Sequence, residues 1–159
     1  CAMLWCDSWD KGELSDEVLS DRVAELLESR SGARGFFVVS LSIEIPLMDR
    51  IPDSLVFKLR EAKDLVVDLT VRNLAMSTAM SVIHLRNKDK IQQSASEKIS
   101  YRCLELLRIL DSNLVKLRIE RLLDASEGKG EDVEFFDRWG YDKEQISAIV
   151  SNLLLIAQN

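Results

Sequence analysis

"GFFVVSLSIEIP", residues 35–46, decides the fold class. Val39, Leu41, Ile43 and Ile45 alternate with Ser40, Ser42 and Glu44, the period-two pattern of a half-buried strand. The same letters, opened by two phenylalanines, also suit a buried helix. No second strand candidate stands elsewhere in the chain, and a lone strand leaves its backbone N–H and C=O groups unpaired. Two readings follow: a buried helix with Phe36 and Phe37 at its start, or a strand that pairs with its counterpart in a second copy of the chain. The helix is preferred, and with it the sequence becomes all-α.

The flanks agree. Ser15 caps a first helix, Asp16 and Glu17 suit its positive end, and Gly32 stops it. Pro52 and Asp53 open a helix to about residue 62. The next, from Asp64 to about Arg86, is the longest and most apolar element, expected at the centre of the fold. "NKDKIQQ" reads as a polar break, and Ser94 with Glu97 as a capping box for a helix over 95–110. Ser112 caps another over 113–125. Val133 to Trp139 is a short helix closed by Gly140, and Asp142 with Gln145 caps a last helix to about Ala157. The expected architecture is one compact bundle of seven or eight helices over residues 15–159, preceded by a loose N-terminal arm, residues 1–14.

With 159 residues, 47% hydrophobic and 30% charged, the chain suits one soluble domain with an ordinary core. Two prolines and six glycines leave few helix breakers. Three cysteines make no disulfide framework, which favours a reducing, cytoplasmic setting. Neither an unbroken apolar run long enough for a membrane span nor the basic start of a signal peptide is visible. Cys1 reads as a cloning remnant ahead of Met3, the lesser alternative being a mature lipoprotein start. The net charge of −6 is uneven. Residues 1–71 hold 8 basic and 14 acidic side chains, residues 72–121 hold 10 and 5, and residues 122–159 hold 3 and 8. Such acidity disfavours non-specific nucleic-acid binding, while the basic middle keeps a contact through residues 86–121 as a minor alternative.

Four stretches invite a functional reading. Met76, Met80 and His84 form one column on the long helix, and soft thioether and imidazole ligands suit copper or haem iron. The column spreads over about 12 Å, so only a pair such as Met80 and His84 could share an ion. The small residues Ala75, Ser77, Thr78, Ala79 and Ser81 favour a packing seam with Met as filler, and no metal or cofactor is expected. On the same helix Arg72 needs a carboxylate if buried, and Asp68 lies one turn away. "SRSGARGFF", 29–37, offers a glycine turn with Arg30 and Arg34 for an anion, against a plain helix stop. "FFDRWGYD", 135–142, places Phe135, Arg138, Trp139 and Tyr141 together as a recognition surface, against an aromatic anchor on the core. Trp5 and Trp9 in the arm are candidates for docking on a partner. The stripe Lys98, Arg102, Arg108, Lys116, Arg118 and Arg121 is interrupted by Glu97, Glu105, Asp111 and Glu120, which suits a solvated face with helical ion pairs.

One histidine, no nucleophile–base spacing and no metal-ligand spacing argue against an enzyme. The expectation is a non-catalytic adaptor or regulatory protein that binds another protein, with a homodimer in view. The main alternative is a small-ligand carrier that uses the interior near Met76, Met80 and His84.

Overall fold

A computed structural model describes residues 2–157, and the reading of Cys1 lies outside the described residues. These residues form nine α-helices and no strand. In order they are α1 (Ala2–Asp10), α2 (Asp16–Leu26), α3 (Arg30–Ser42), α4 (Asp53–Glu61), α5 (Asp64–Arg86), α6 (Lys90–Ile109), α7 (Ser112–Ser126), α8 (Val133–Trp139) and α9 (Lys143–Ala157), with a 3₁₀ turn at Pro46–Met48. The fold is all-helical and differs from the sequence reading in two places: one helix more, and one boundary moved.

The first is at the amino end. The expected loose arm is helical over most of its length, because Cys6 is buried and Trp5 and Trp9 pack half-buried against the core. The Trp9 indole N–H donates to Asp16 Oδ1 at 2.7 Å, which ties α1 to the start of α2. Both tryptophans therefore have partners within the chain.

The second is the segment quoted above. The first long helix does not run to Gly32: it ends at Leu26, and Ser29 caps a new helix by accepting from the Gly32 N–H at 3.1 Å. Gly32 is thus in the first turn of α3. A Cβ at that position would stand 2.4 Å from the Leu26 carbonyl oxygen, so the close return of the chain requires glycine. Along α3 the buried residues are Ala33, Phe36, Phe37, Ser40 and Leu41, a helical spacing. The strand-like alternation owes its serines to two roles. Ser40 lies in the core, and Ser42 donates back to the Val38 carbonyl at 2.6 Å in the last turn. Beyond Ser42 the chain is extended, and Arg102 of α6 holds it there. This arginine, 0% exposed, donates to the carbonyls of Ser40, Leu41, Ile43 and Ile45 and pairs with Asp49. One guanidinium thereby satisfies carbonyls that the end of a helix leaves open.

Helix α5 packs against α3, α6, α7 and α9. Its small residues make the contacts expected of a close crossing. Ser77 and Ser100 of α6 share a hydrogen bond of 2.7 Å. From α9, Asn152 donates to Thr78 Oγ1 at 2.9 Å and Gln145 to the Ala79 carbonyl at 3.2 Å. Met80 is not filler in this seam: it lies 44% exposed, whereas its neighbour Ala79 is buried. By length and composition α5 is the one described helix apolar enough to cross a membrane, a test that a buried core helix also passes, and 61% of its apolar window is buried inside this fold.

Two of the caps read from the sequence are formed, at the starts of α2 and α9. Ser15 accepts from the Val18 N–H, and Asp142 and Gln145 exchange two bonds of 2.9 Å at the start of α9. Gly140 ends α8 at φ 63°, the left-handed region. Asp89 and Asp111, rather than Ser94 and Ser112, cap α6 and α7, because each carboxylate precedes the serine and starts the helix earlier. Ser94 lies inside α6.

Candidate functional site

Three helix faces meet in an open groove of about 690 Å³. Helix α3 contributes Arg30, Arg34 and Val38, four residues apart and so one column. Helix α5 contributes Asp68, Arg72 and Met76 in the same register, with Leu69 and Asn73 beside them. Helix α8 and the turn before it close the third side with Glu131, Glu134, Phe135, Arg138 and Trp139. Arg30 meets Asp68 at 2.5 Å; along each of the two helices an arginine follows one turn on, Arg34 and Arg72, and an apolar side chain two turns on, Val38 and Met76. The groove is graded from ionic through cationic to apolar. Trp139, 50% exposed, stands at its rim.

The floor is a network of ion pairs. Asp68 accepts from Arg30, from Arg72 Nε at 3.1 Å and from Arg118 of α7 at 2.9 Å. Arg118 is buried and reaches Asp132 at 2.6 Å with its other arm. Burial alone would raise the Asp68 carboxyl, but the hydrogen bond from Arg30 and the charges of Arg118 and Arg72 outweigh it and hold it below the usual aspartate range. Arg72 also stacks over the Phe135 ring, 5.3 Å from its centroid. Arg121 joins from behind through Glu131 and Asp132.

The charges do not balance. Six arginines, at 30, 34, 72, 118, 121 and 138, share this region with four carboxylates, Asp68, Glu131, Asp132 and Glu134. Among the described residues Arg34 and Arg138 have no ion-pair or hydrogen-bond partner. Both are exposed side chains facing a concave surface in a protein of net charge −6.

The sequence candidates divide clearly. Arg34, Arg72, Phe135, Arg138 and Trp139 come from three separate stretches, and the fold brings all five to the groove. Arg72 has the partner expected for it, Asp68. Arg34 presents a helix face rather than the glycine turn imagined around it. Tyr141 lies behind the groove, ring centroids 6.1 Å and 6.2 Å from Phe135 and Phe136, and burial pushes its hydroxyl up to about 12. Met76 lines the groove; Met80 and His84 do not, so the Met–His column is not one site. Among the described residues no group of three His, Cys, Asp or Glu stands close enough to hold a metal. Cys6 and Cys103 are buried, which raises both thiols. The basic stripe of 86–121 is divided: Arg102 and Arg118 face the interior, while Lys98 pairs with Glu44, Arg108 with Glu105, Arg86 with Asp142 and Glu144, and Lys116 is exposed. Val38, Glu134 and the link from Asp68 through Arg118 to Asp132 escaped the sequence reading. For Val38 the signal was the four-residue repeat that Arg30, Arg34 and Val38 share with Asp68, Arg72 and Met76.

No curated protein and no solved structure matches the chain significantly. The match lies at the level of the family. Residues 1–156 fit the one described as Uncharacterised conserved protein UCP020893, and with nearly its whole length covered the chain belongs to that family.

Proposed function

We propose that the protein is a non-catalytic helical module that works by binding another protein, and that the groove between α3, α5 and α8 is its contact surface. The observation that carries this reading is the composition of one concave wall. It joins a half-exposed tryptophan, a stacked Arg72–Phe135 pair and two arginines without partners. Tryptophan and arginine are the side chains that most often dominate protein–protein binding energy. The floor beneath them is fixed by the Asp68–Arg118–Asp132 network, so little ordering is needed on binding.

The test is comparative cross-linking in the native cell extract, with wild type, Trp139→Ala and a control, Phe57→Ala, at an exposed site on α4. One protein cross-linked to the groove in wild type and in the control, and lost with Trp139→Ala, is the expected result. Equal capture by all three would remove the groove from consideration. Light scattering of the purified chain then tells whether the partner is a second copy.

The carrier reading keeps one supporting observation, that Met76 lines the groove. It moves from Met80 and His84 to the arginines beside Met76. A defined small molecule retained through purification would favour it over a protein partner.

A further inference from the structure

We infer that the occupant of this groove is a peptide segment that presents an anionic group beside an apolar side chain, the anion seated at Arg34 and Arg138 and the apolar group at Val38, Met76 and Trp139. The inference rests on the proposed contact surface and names the chemistry it selects.

Charge comes first. Arg30 and Arg34 are one turn apart on α3, and like charges at that spacing disfavour the helix. Asp68 relieves Arg30 from across the groove. Nothing relieves Arg34: residues three and four positions away are Arg30, Ser31, Phe37 and Val38, none of them acidic. Arg138 on the opposite wall is also without a partner among the described residues. Glu134, one turn before Arg138, lines the groove without pairing to it. A bound carboxylate or phosphate would accept from both guanidiniums, and such charge-assisted bonds are about twice as strong as neutral ones.

Polarity comes second. The next layer past Arg34 and Arg72 is apolar, and Val38 is 65% exposed although it faces a concave wall. A free inorganic anion would leave Val38, Met76 and Trp139 uncovered. A nucleic-acid backbone would carry its repeating charge past Glu131 and Glu134 on the α8 side, where a peptide presents a single anionic group. A short peptide with an acidic or phosphorylated residue next to a hydrophobic one covers both layers.

The test is selection of random displayed peptides on the folded chain, followed by titration of the best peptide synthesised three ways: as selected, with its acidic residues changed to the amides, and with phosphoserine in their place. The acidic peptide should bind, and the amide version should be weaker by about tenfold or more. The double variant R34Q/R138Q should show the same loss with its thermal midpoint not lowered, since both side chains are exposed and unpaired. V38D should also weaken binding. The phosphoserine version tells whether the groove prefers phosphate or carboxylate. Peptides that need Trp139 but bind the amide version and R34Q/R138Q equally well would overturn the inference and leave the contact surface standing. Enrichment of no groove-dependent peptide would overturn both. Inorganic phosphate or a single-stranded oligonucleotide that binds through Arg34 and Arg138 where no peptide does would overturn the peptide assignment.

Discussion

At the scale of the residue, Arg102 is the most demanding side chain in the molecule. It sits in the basic middle of the sequence and reads as one of a solvated stripe. In the fold it is 0% exposed and ties Asp49 to four main-chain carbonyls at the end of α3. Removal of the guanidinium strands those acceptors and leaves Asp49 unpaired. Arg102→Met should therefore destabilise by about 3–5 kcal/mol, the range for breaking a buried ion pair. Arg102→Lys should recover only part, because a single ammonium cannot reproduce the fork of donors. Urea unfolding decides it, and a loss under about 1 kcal/mol for the methionine variant would show that the carbonyls find water instead. The sequence could not reveal this arginine, whose partners lie 53 to 62 positions away. Arg72 was legible because its partner Asp68 is one turn away on the same helix. The reciprocal cap of Asp142 and Gln145 was legible for the same reason.

Among the elements, α3 shows what periodicity carries and what it misses. The helix itself was readable from two phenylalanines and the lack of a second strand. Its start was not, since Gly32 reads as a terminator by composition and becomes helical because Ser29 supplies the cap. The two glycines of this helix give a paired prediction. A Cβ at Gly32 collides with the Leu26 carbonyl, while one at Gly35 meets open space. Helix propensity favours alanine at both by roughly 1 kcal/mol. Gly35→Ala should therefore stabilise by about 0.5–1 kcal/mol. Gly32→Ala should destabilise by about 1–3 kcal/mol, because backbone must move to admit the methyl group. Thermal or urea unfolding of the two variants should show shifts of opposite sign. A stabilised Gly32→Ala would mean that the α2–α3 turn yields easily and that the close approach there does not hold the helices together.

For the whole molecule, the groove is a product of topology. Its walls come from stretches as far apart as Arg30 and Trp139, each of which carried a visible but separate signal. What no local pattern could supply was their meeting, or the floor of Asp68, Arg118 and Asp132 on which they rest. That floor has a measurable signature. Asp68 is held below the ordinary value of 3.8 against the effect of its own burial, by the Arg30 hydrogen bond and the charges of Arg118 and Arg72. Asp49 is lowered first by its hydrogen bond from Arg102. Asp142 is lowered to about 2, first by its hydrogen bond from Arg86 and then by the Gln145 backbone N–H. A carboxylate whose folded value lies below its unfolded value contributes stability that is fully present above the unfolded value. That contribution is lost as pH falls through the folded value. The thermal midpoint should therefore hold steady down to about pH 5 and fall most steeply from about 3.8 towards about 2. Asp68→Asn should lower the midpoint at neutral pH, where the wild-type carboxylate is charged and shared by three arginines. Its decline below 3.8 should be shallower, because one of the titrating groups is gone. Midpoints measured by circular dichroism across this range decide the matter. Wild-type and Asp68→Asn curves that run parallel from neutral pH to pH 2 would mean that the arginines gain nothing from Asp68 beyond a hydrogen-bond acceptor. The fixed floor beneath Arg34 and Arg138 would then have to be sought in the Arg118–Asp132 pair alone.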